Sequence, residues 1–363
     1  MGQLSSVLMP LLQLGALGFT AYVFIYSLAI EYLLRPSPDF QSRGVFPRKP
    51  TAVALITVFS ILLLILMVTW MRLLQVIWTN PGLMPLGKPS SEKQEASQKY
   101  FEKYDAFIAD YDGDPLWCNK CHNFKPDRTH HCRELNRCVR RMDHYCPWAG
   151  GIISETTHKF FIQFVFYGTI ITTFTLVPMA YFLAERIRLL GSKPATWIAA
   201  TALAGIFCIF TGTMFFTTFW NLSINYTTIE TVQRGGVHNI AMLATAGTSR
   251  SKNSSRASRS PNQQPPTVLK EVQRDASRSY VLFQTQPFDH PWDIGTWPNL
   301  QSIMGYSIWQ WLVPLKMSPC IQHDDIRGEF GWAQKVLDMA AEYQEDRPGM
   351  QIHLLSDSRR RNR

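Results

Sequence analysis

Four long apolar runs divide the chain: residues 11–34, 51–78, 160–183 and 196–222. The first two carry one charge each, Glu31 and Arg72, both near an end; the last two carry none. Each run exceeds the roughly 20 residues that an α-helix needs to cross a bilayer core. The pattern predicts four transmembrane helices, with Glu31 and Arg72 close enough to the ends to reach the interface. A cleaved signal peptide is the other reading of the first run. No basic segment precedes that run, however, and it is too long for a signal's apolar stretch.

Between and beyond the runs lie an N-terminal segment 1–10, loops 35–50 and 184–195, a long loop 79–159, and a C-terminal region 223–363. Residues 246–267 are Ser, Arg, Asn, Gln and Pro with almost nothing apolar, which predicts a disordered insert spanning 246–279. Residues 280–315 are rich in Trp and Phe and therefore pack on something, with an aromatic motif at 287–315. Trp332, Val336, Leu337 and Met339 suggest a short amphipathic helix. Arg359, Arg360, Arg361 and Arg363 form a basic end that reads as a solvated tail or as a contact for anionic lipid.

The basic residues orient the helices. Segment 79–159 holds twelve Lys and Arg and 223–363 holds sixteen, against four in 35–50 and three in 184–195. The bias places the two rich segments, and both termini, in the cytosol, with 35–50 and 184–195 luminal. Composition agrees: of 363 residues 46% are hydrophobic and only 17% charged, where a soluble domain carries about a quarter. Seven Cys are too dilute for a disulfide scaffold. The net charge of +9 leaves nucleic acid or an anionic membrane surface as partners.

Five of the seven Cys fall within 118–146, in the order Cys118-x2-Cys121, His130-His131-Cys132, Cys138 and Asp143-His144-Tyr145-Cys146-Pro147-Trp148. In a reducing cytosol this spacing points to zinc. A nucleic-acid zinc finger would also be basic, but a short tether between two membrane helices is a poor place for one. Asp143-His144-x-Cys146 combines a nucleophile, a base and an orienting carboxylate within four positions. From spacing alone, His144 or Cys146 is equally well read as one more zinc ligand. The expected fold class is an all-α integral membrane protein: four transmembrane helices, with a small zinc-bound, cysteine-rich cytosolic domain at about 116–159 between the second and third.

At these residues the chain resembles the Asp-His-His-Cys (DHHC) family of membrane-bound protein S-acyltransferases, or palmitoyltransferases. The resemblance runs through Cys118, Cys121, Lys125-Pro126-Asp127-Arg128, His131-Cys132, Cys138 and Asp143-His144-Tyr145-Cys146-Pro147-Trp148. Asn80-Pro81-Gly82, Thr227-Thr228-Ile229-Glu230, Asp293-Ile294-Gly295, Asn299 and Gly305 match its flanking signatures. It is most similar to the fungal subset with Tyr in the third place of the motif.

The resemblance implies that Cys146 is a nucleophile acylated by acyl-CoA, His144 the general base and Asp143 its orienting group. It also implies that Thr227, Thr228, Glu230 and Asn299 support the catalytic loop. Its first zinc set corresponds to Cys118, Cys121, His131 and Cys138. Its second set falls on Cys132, Leu135, Tyr145 and Ile152, of which only Cys132 can ligate. One structural zinc is therefore expected, with a hydrophobic patch in place of the second. Where the family has Asn-Cys-Val-Gly, this chain has Ala149-Gly150-Gly151-Ile152.

Arg128, Arg140 and Arg141 are expected to meet the CoA phosphates. The expected partners are acyl-CoA, palmitoyl-CoA foremost, protein substrates with a cysteine near the membrane, and the bilayer, with no nucleic acid. An inactive zinc scaffold, or a membrane zinc protein such as a ubiquitin ligase, is the alternative. Bulk around Tyr181, Phe182, Phe207, Phe210, Phe215 and Phe216 is expected to set acyl length. Gly2-x-x-x-Ser6 fits the myristoylation pattern, Cys320 reads as an ordinary free thiol and Cys208 as packing.

Overall fold

The computed structural model describes residues 2–87, 101–246, 267–273 and 278–355. Among the described residues, four helices are long and apolar enough to cross a membrane: Leu4–Leu34, Lys49–Thr79, His158–Leu190 and Ala195–Ser223. Each extends past the apolar run that announced it, because polar residues at the ends can stay helical once they reach the interface. The chain is a mostly helical integral membrane protein, and it divides into two compact units.

The first unit comprises residues 1–81, 145–220 and 304–318. Its outer surface carries Leu64, Ile209 and Phe216 exposed, as a surface solvated by lipid requires. Inside, Phe24, Leu28 and Tyr32 of the first span meet Phe59 and Leu66 of the second, Met179 and Phe182 of the third and Trp197 of the fourth. Hydroxyls within the spans return to their own helices, as Thr175 Oγ1 to Ile171 O (2.7 Å) and Thr211 Oγ1 to Phe207 O (2.8 Å), since lipid offers no other acceptor. The third span ends at Gly191, whose φ of +62° suits glycine; its N–H caps Ile187 O. Near that end Glu185 takes both guanidinium nitrogens of Arg48 (2.9 and 3.0 Å) and the Tyr32 hydroxyl (2.8 Å).

The second unit comprises residues 82–144, 221–303 and 319–363. It contains a sheet that apolar periodicity did not announce. Five antiparallel strands take part: β1 (Ala106–Ala109), β8 (Asn239–Ala246), β9 (Thr267–Gln273), β10 (Ser279–Gln284) and β11 (Met350–Ile352). The order is β1-β8-β10-β9, and β11 pairs with β8 beyond β1. The register sets Ala241 opposite Phe107 on one side and Leu282 on the other. Alternation then sends Ile240, Met242, Val281 and Phe283 to one face, against Trp292, Trp332 and the helix Gln334–Asp346 through Val336, Ala340 and Tyr343. Phe107, Ala241, Tyr280 and Leu282 go to the other, against Phe101, Phe124 and three cysteines.

One expectation changes here. Of the segment 246–279 expected to be disordered, Thr267–Gln273 is strand β9, paired along β10. Its Thr, Val and Glu supply a strand pattern that the flanking Ser- and Arg-rich composition obscured. Residues 247–266 and 274–277, and the arginines from Arg359 onward, lie outside the described residues. The aromatic motif 287–315 includes the helices Thr296–Met304 and Ile308–Leu312, and the boundary between the units falls at Met304.

Replacing Glu185 with Ala strands the Arg48 guanidinium beside the membrane core. Thermal unfolding of the detergent-solubilised protein is expected to shift down by about 2–6 °C.

Candidate catalytic and metal site

Two short hairpins hold the candidate metal ligands. Strands β2 (Trp117–Cys118) and β3 (Asn123–Phe124) flank the Cys118-x2-Cys121 turn. Strands β4 (His130–Cys132) and β5 (Arg137–Val139) set His131 directly opposite Cys138. Both hairpins use left-handed residues, His122 and Asn136, each at φ +49°. Gly87 packs so closely that a Cβ there would lie 1.6 Å from His122 O. Its N–H bonds Cys121 O.

The donor atoms of Cys118, Cys121, His131 and Cys138 lie within 4.8 Å of one another. His131 Nδ1 stands 3.5, 3.3 and 3.9 Å from the three sulfurs in turn. A tetrahedral zinc with Zn–S about 2.3 Å and Zn–N about 2.0–2.1 Å spaces its donors about 3.5–3.8 Å apart. The four residues therefore fit zinc, with His131 ligating through Nδ1. Three of these cysteines pack under the second face of the sheet, so the metal cluster and the sheet share one core.

The positions matching the family's second zinc set are differently placed. Cys132 is buried, with its sulfur 3.4 Å from Glu134 Oε2, and burial pushes its thiol up to about 11. Ile152 is buried, and Leu135 and Tyr145 are half-buried.

Asp143 and His144 are positioned by a second hydrogen-bonded assembly. His144 Nδ1 lies 2.5 Å from Asp143 Oδ2. Asp143 is buried, and it accepts from the Thr228 N–H and the Thr228 hydroxyl, each at 2.9 Å. Thr228 opens the short helix Thr228–Val232, which a reciprocal capping box stabilises. Thr227 Oγ1 accepts from Glu230 N (3.3 Å), and Glu230 Oε2 accepts from Thr227 N (2.8 Å). Glu230 also binds Arg128 in a two-pronged pair at 2.7 and 2.6 Å. Burial opposes charge on Glu230, but the Arg128 guanidinium prevails and holds the carboxyl at about 2.

This assembly overturns part of the expected phosphate site. Arg128 and Arg141 are buried. Arg128 is committed to Glu230 and to Asn225 Oδ1 and O, and it lies over the rings of Trp292 and Phe330. Arg141 donates to Asn225 Oδ1 (3.1 Å), and burial lowers its guanidinium to about 10. Arg140 pairs with the buried Glu329 at 3.2 Å. The guanidiniums of Arg128 and Arg141 face inward because αL turns (φ +61° and +39°) aim them at the core, which residue type alone does not reveal.

Asn225 was missed by sequence reasoning. It takes a left-handed conformation (φ +56°) just after the fourth span, receives both arginines, and donates to Trp292 O (2.6 Å). An Asn directly behind a long apolar helix is the available signal, since Asn is favoured in such caps. Asn299 is buried; its side chain donates to Ser223 O (3.0 Å) and Asp293 Oδ1 (2.7 Å), and its side-chain carbonyl accepts from Ile294 N (3.1 Å).

Cys146 ends strand β6 (His144–Cys146), which pairs with β7 (Gly151–Ile153). Residues two apart on a strand leave it on the same face, so His144 and Cys146 are matched in direction. Gly150 and Gly151 allow this hairpin to approach the second span. A Cβ on either would lie 2.6 Å from Leu74 or Ile77, and φ at Gly150 is +91°. Cys146 is half-buried against Leu73, Val76, Ile77, Ala149, Ile153, Phe160 and Phe161, together with Phe164.

Phe164 also lines a cavity among the four spans, with Leu17, Phe59, Leu66, Trp70, Ile171, Leu203, Ala204 and Phe207. Of the aromatic residues expected to set acyl length, Phe207 lines this cavity. Phe182 belongs to the helix core, Phe215 packs with Cys146 on the same cluster, Phe210 meets Trp148 with ring centroids 5.6 Å apart, and Tyr181 and Phe216 face outward.

Glu230→Ala removes both the cap and the partner of a buried arginine. It is expected to destabilise the protein by about 3–5 kcal/mol, seen as loss of the folded fraction in thermal scans. Asp127 gives a pH signature. Burial pushes its carboxyl up to about 7, against the Ile108 N–H that it accepts at 2.9 Å. The native state then holds a proton that the unfolded state releases near 4, so this contribution to stability falls as pH rises from about 4 to 7. Asp127→Asn is expected to flatten that part of the unfolding-temperature profile between pH 5 and 8.

The comparisons with known proteins agree with this geometry. A family model described as DHHC palmitoyltransferase matches residues 112–235. The chain is 29% identical to "Palmitoyltransferase pfa5" of Aspergillus fumigatus over 90% of its own length and 86% of that protein. It is 30% identical to "Palmitoyltransferase pfa5" of Emericella nidulans over 88% and 82%. "Palmitoyltransferase ZDHHC3-A" of Danio rerio is 32% identical over 43% of this chain and 49% of its own. With the ligand cluster, the Asp143–His144 pair and the four spans all in place, the chain belongs to the DHHC palmitoyltransferase family.

Proposed function

We propose that Cys146 carries the acyl group in a two-step protein S-palmitoyl transfer. The observation that carries this reading is the placement of Cys146. It is half-buried on the hydrophobic cluster that contains Phe164, and Phe164 continues into the cavity between the spans. An acyl chain gains roughly 0.8 kcal/mol for each CH₂ removed from water, so an apolar recess reached from the nucleophile suits it.

In the first step His144 takes the Cys146 proton and the thiolate attacks the thioester carbonyl of acyl-CoA. The carbon–sulfur bond to CoA breaks, and the departing CoA thiolate receives the proton from His144. In the second, His144 takes the proton of a substrate cysteine. That thiolate attacks the acyl-Cys146 thioester, and Cys146 leaves as thiolate and regains the proton. Asp143, held from two sides by Thr228, fixes the ring so that Nε2 faces the reaction while Nδ1 stays engaged.

Cys118, Cys121, His131 and Cys138 would hold one structural zinc, whose four protein ligands leave no open position. In this reading the cysteine-rich loop and both termini are cytosolic. The substrates are acyl-CoA, with palmitoyl preferred, and proteins bearing a cysteine close to the membrane.

Purified protein incubated with labelled palmitoyl-CoA is expected to form a hydroxylamine-sensitive adduct that Cys146→Ser abolishes. Thr228→Val removes one of the two bonds from Thr228 to Asp143 and should slow adduct formation about tenfold. Metal analysis should give about one zinc per chain in wild type and in Cys146→Ser alike. A surviving adduct in Cys146→Ser sinks the nucleophile assignment, and loss of zinc in that variant makes Cys146 a ligand instead.

A further inference from the structure

The start of the third span collects positive groups: Lys159, Arg72 and Lys316. Lys159, in its first turn, is fully buried, and its Nζ has no hydrogen-bond partner. That turn contains no acidic residue. Its charged neighbour is another cation, Lys316, which is exposed. The side chain next to Lys159, Phe160, lies under the Arg72 guanidinium (5.2 Å to the ring centre). Arg72 in turn reaches toward Leu315 O at 3.5 Å, and its Nε is buried without a partner. Ser318 Oγ, two residues past Lys316, is a further buried donor without an acceptor.

The segment that supplies Lys316 and Ser318 is tied alongside the third span. Gln163 Nε2 donates to Gln310 O and Trp311 O, and Tyr167 to Leu312 O (2.8 Å). Gln163 Oε1 is an unpartnered acceptor one turn beyond Lys159. Lys159, Arg72 and Ser318 thus each bring an unpartnered donor to this region, with Lys159 at the positive end of a helix. A buried ammonium in such surroundings calls for an anion. The same segment shows where that anion comes from. Tyr306, Ile308, Trp309, Val313 and Leu315 are all exposed. Exposed Trp and Tyr with aliphatic neighbours belong at the headgroup level of a bilayer.

We propose that Lys159, with Arg72, Lys316 and Ser318, binds a phosphate group, supplied by a membrane phospholipid. The phosphates of CoA share that chemistry and are the other source. This site is separate from the acyl-transfer reading and does not rest on it, because it is read by binding rather than by turnover.

The test uses full-length protein and native mass spectrometry, with phosphatidic acid, diacylglycerol lacking the phosphate, and desulfo-CoA as probes. Wild type is expected to retain phosphatidic acid over diacylglycerol, and Lys159→Gln to lower that retention about tenfold. Lys316→Gln, at an exposed position, should lower it in the same direction, and it decides the matter if Lys159→Gln does not fold. A loss of desulfo-CoA binding instead, with phosphatidic acid unchanged, assigns the phosphate to the acyl donor. Unchanged binding of both probes in folded variants overturns the proposal.

Discussion

The buried pair between Arg128 and Glu230 is the constraint on which the second unit depends. A guanidinium and a carboxylate taken out of water together are costly unless nearly every donor and acceptor is used. Here that condition is approached. Glu230 accepts two bonds from Arg128 and one from the Thr227 N–H, while Arg128 uses its remaining donors on Asn225 and lies against Trp292 and Phe330. The pair joins two turns about a hundred residues apart in sequence. Because Glu230 also caps the helix that begins at Thr228, the same carboxylate that neutralises Arg128 fixes the two donors that hold Asp143. The orientation of His144 is thus inherited from an interaction that never touches substrate.

The cluster of Cys118, Cys121, His131 and Cys138 is placed by different physics. Its cysteines are part of the hydrophobic core under the sheet, next to Phe101, Phe107 and Phe124. Thiolates alone would be expensive there, and a bound divalent cation offsets their charge. A bound metal would thus take the place of a larger core for a region made of two-residue and three-residue strands. Cys146 depends on neither device directly. Cys146 rests on apolar side chains from the membrane spans, where glycines at 150 and 151 let the hairpin come close.

Much of the site was legible because its chemistry is local. Cys118, Cys121, His131 and Cys138 lie within about twenty residues, and Asp143, His144 and Cys146 within four, so spacing carries the information. The arginines were not legible in the same way. A basic residue near a presumed phosphate site looks alike whether it faces solvent or the core. Only the left-handed turns at Arg128 and Arg141 and the distant partners Glu230 and Asn225 determine which. The sheet was hidden for a related reason. Strands β8 and β10 are buried on both faces, so they lack the alternation by which a half-exposed strand is recognised. Strand β9 stood inside a stretch whose average composition is that of a disordered chain.

By itself, the sequence determined the four long apolar helices, the cluster of Cys118, Cys121, His131 and Cys138, and the family. Apolar run length and ligand spacing are properties of contiguous residues, and they need no fold to express them. The tertiary structure decided everything that requires distant segments to meet. That includes which cations are neutralised, what holds Asp143, which aromatic residues line the cavity, and that Lys159 lies buried with no acceptor in reach. The physical reason is that burial and pairing set the cost of a charge, and both are decided by neighbours remote in sequence.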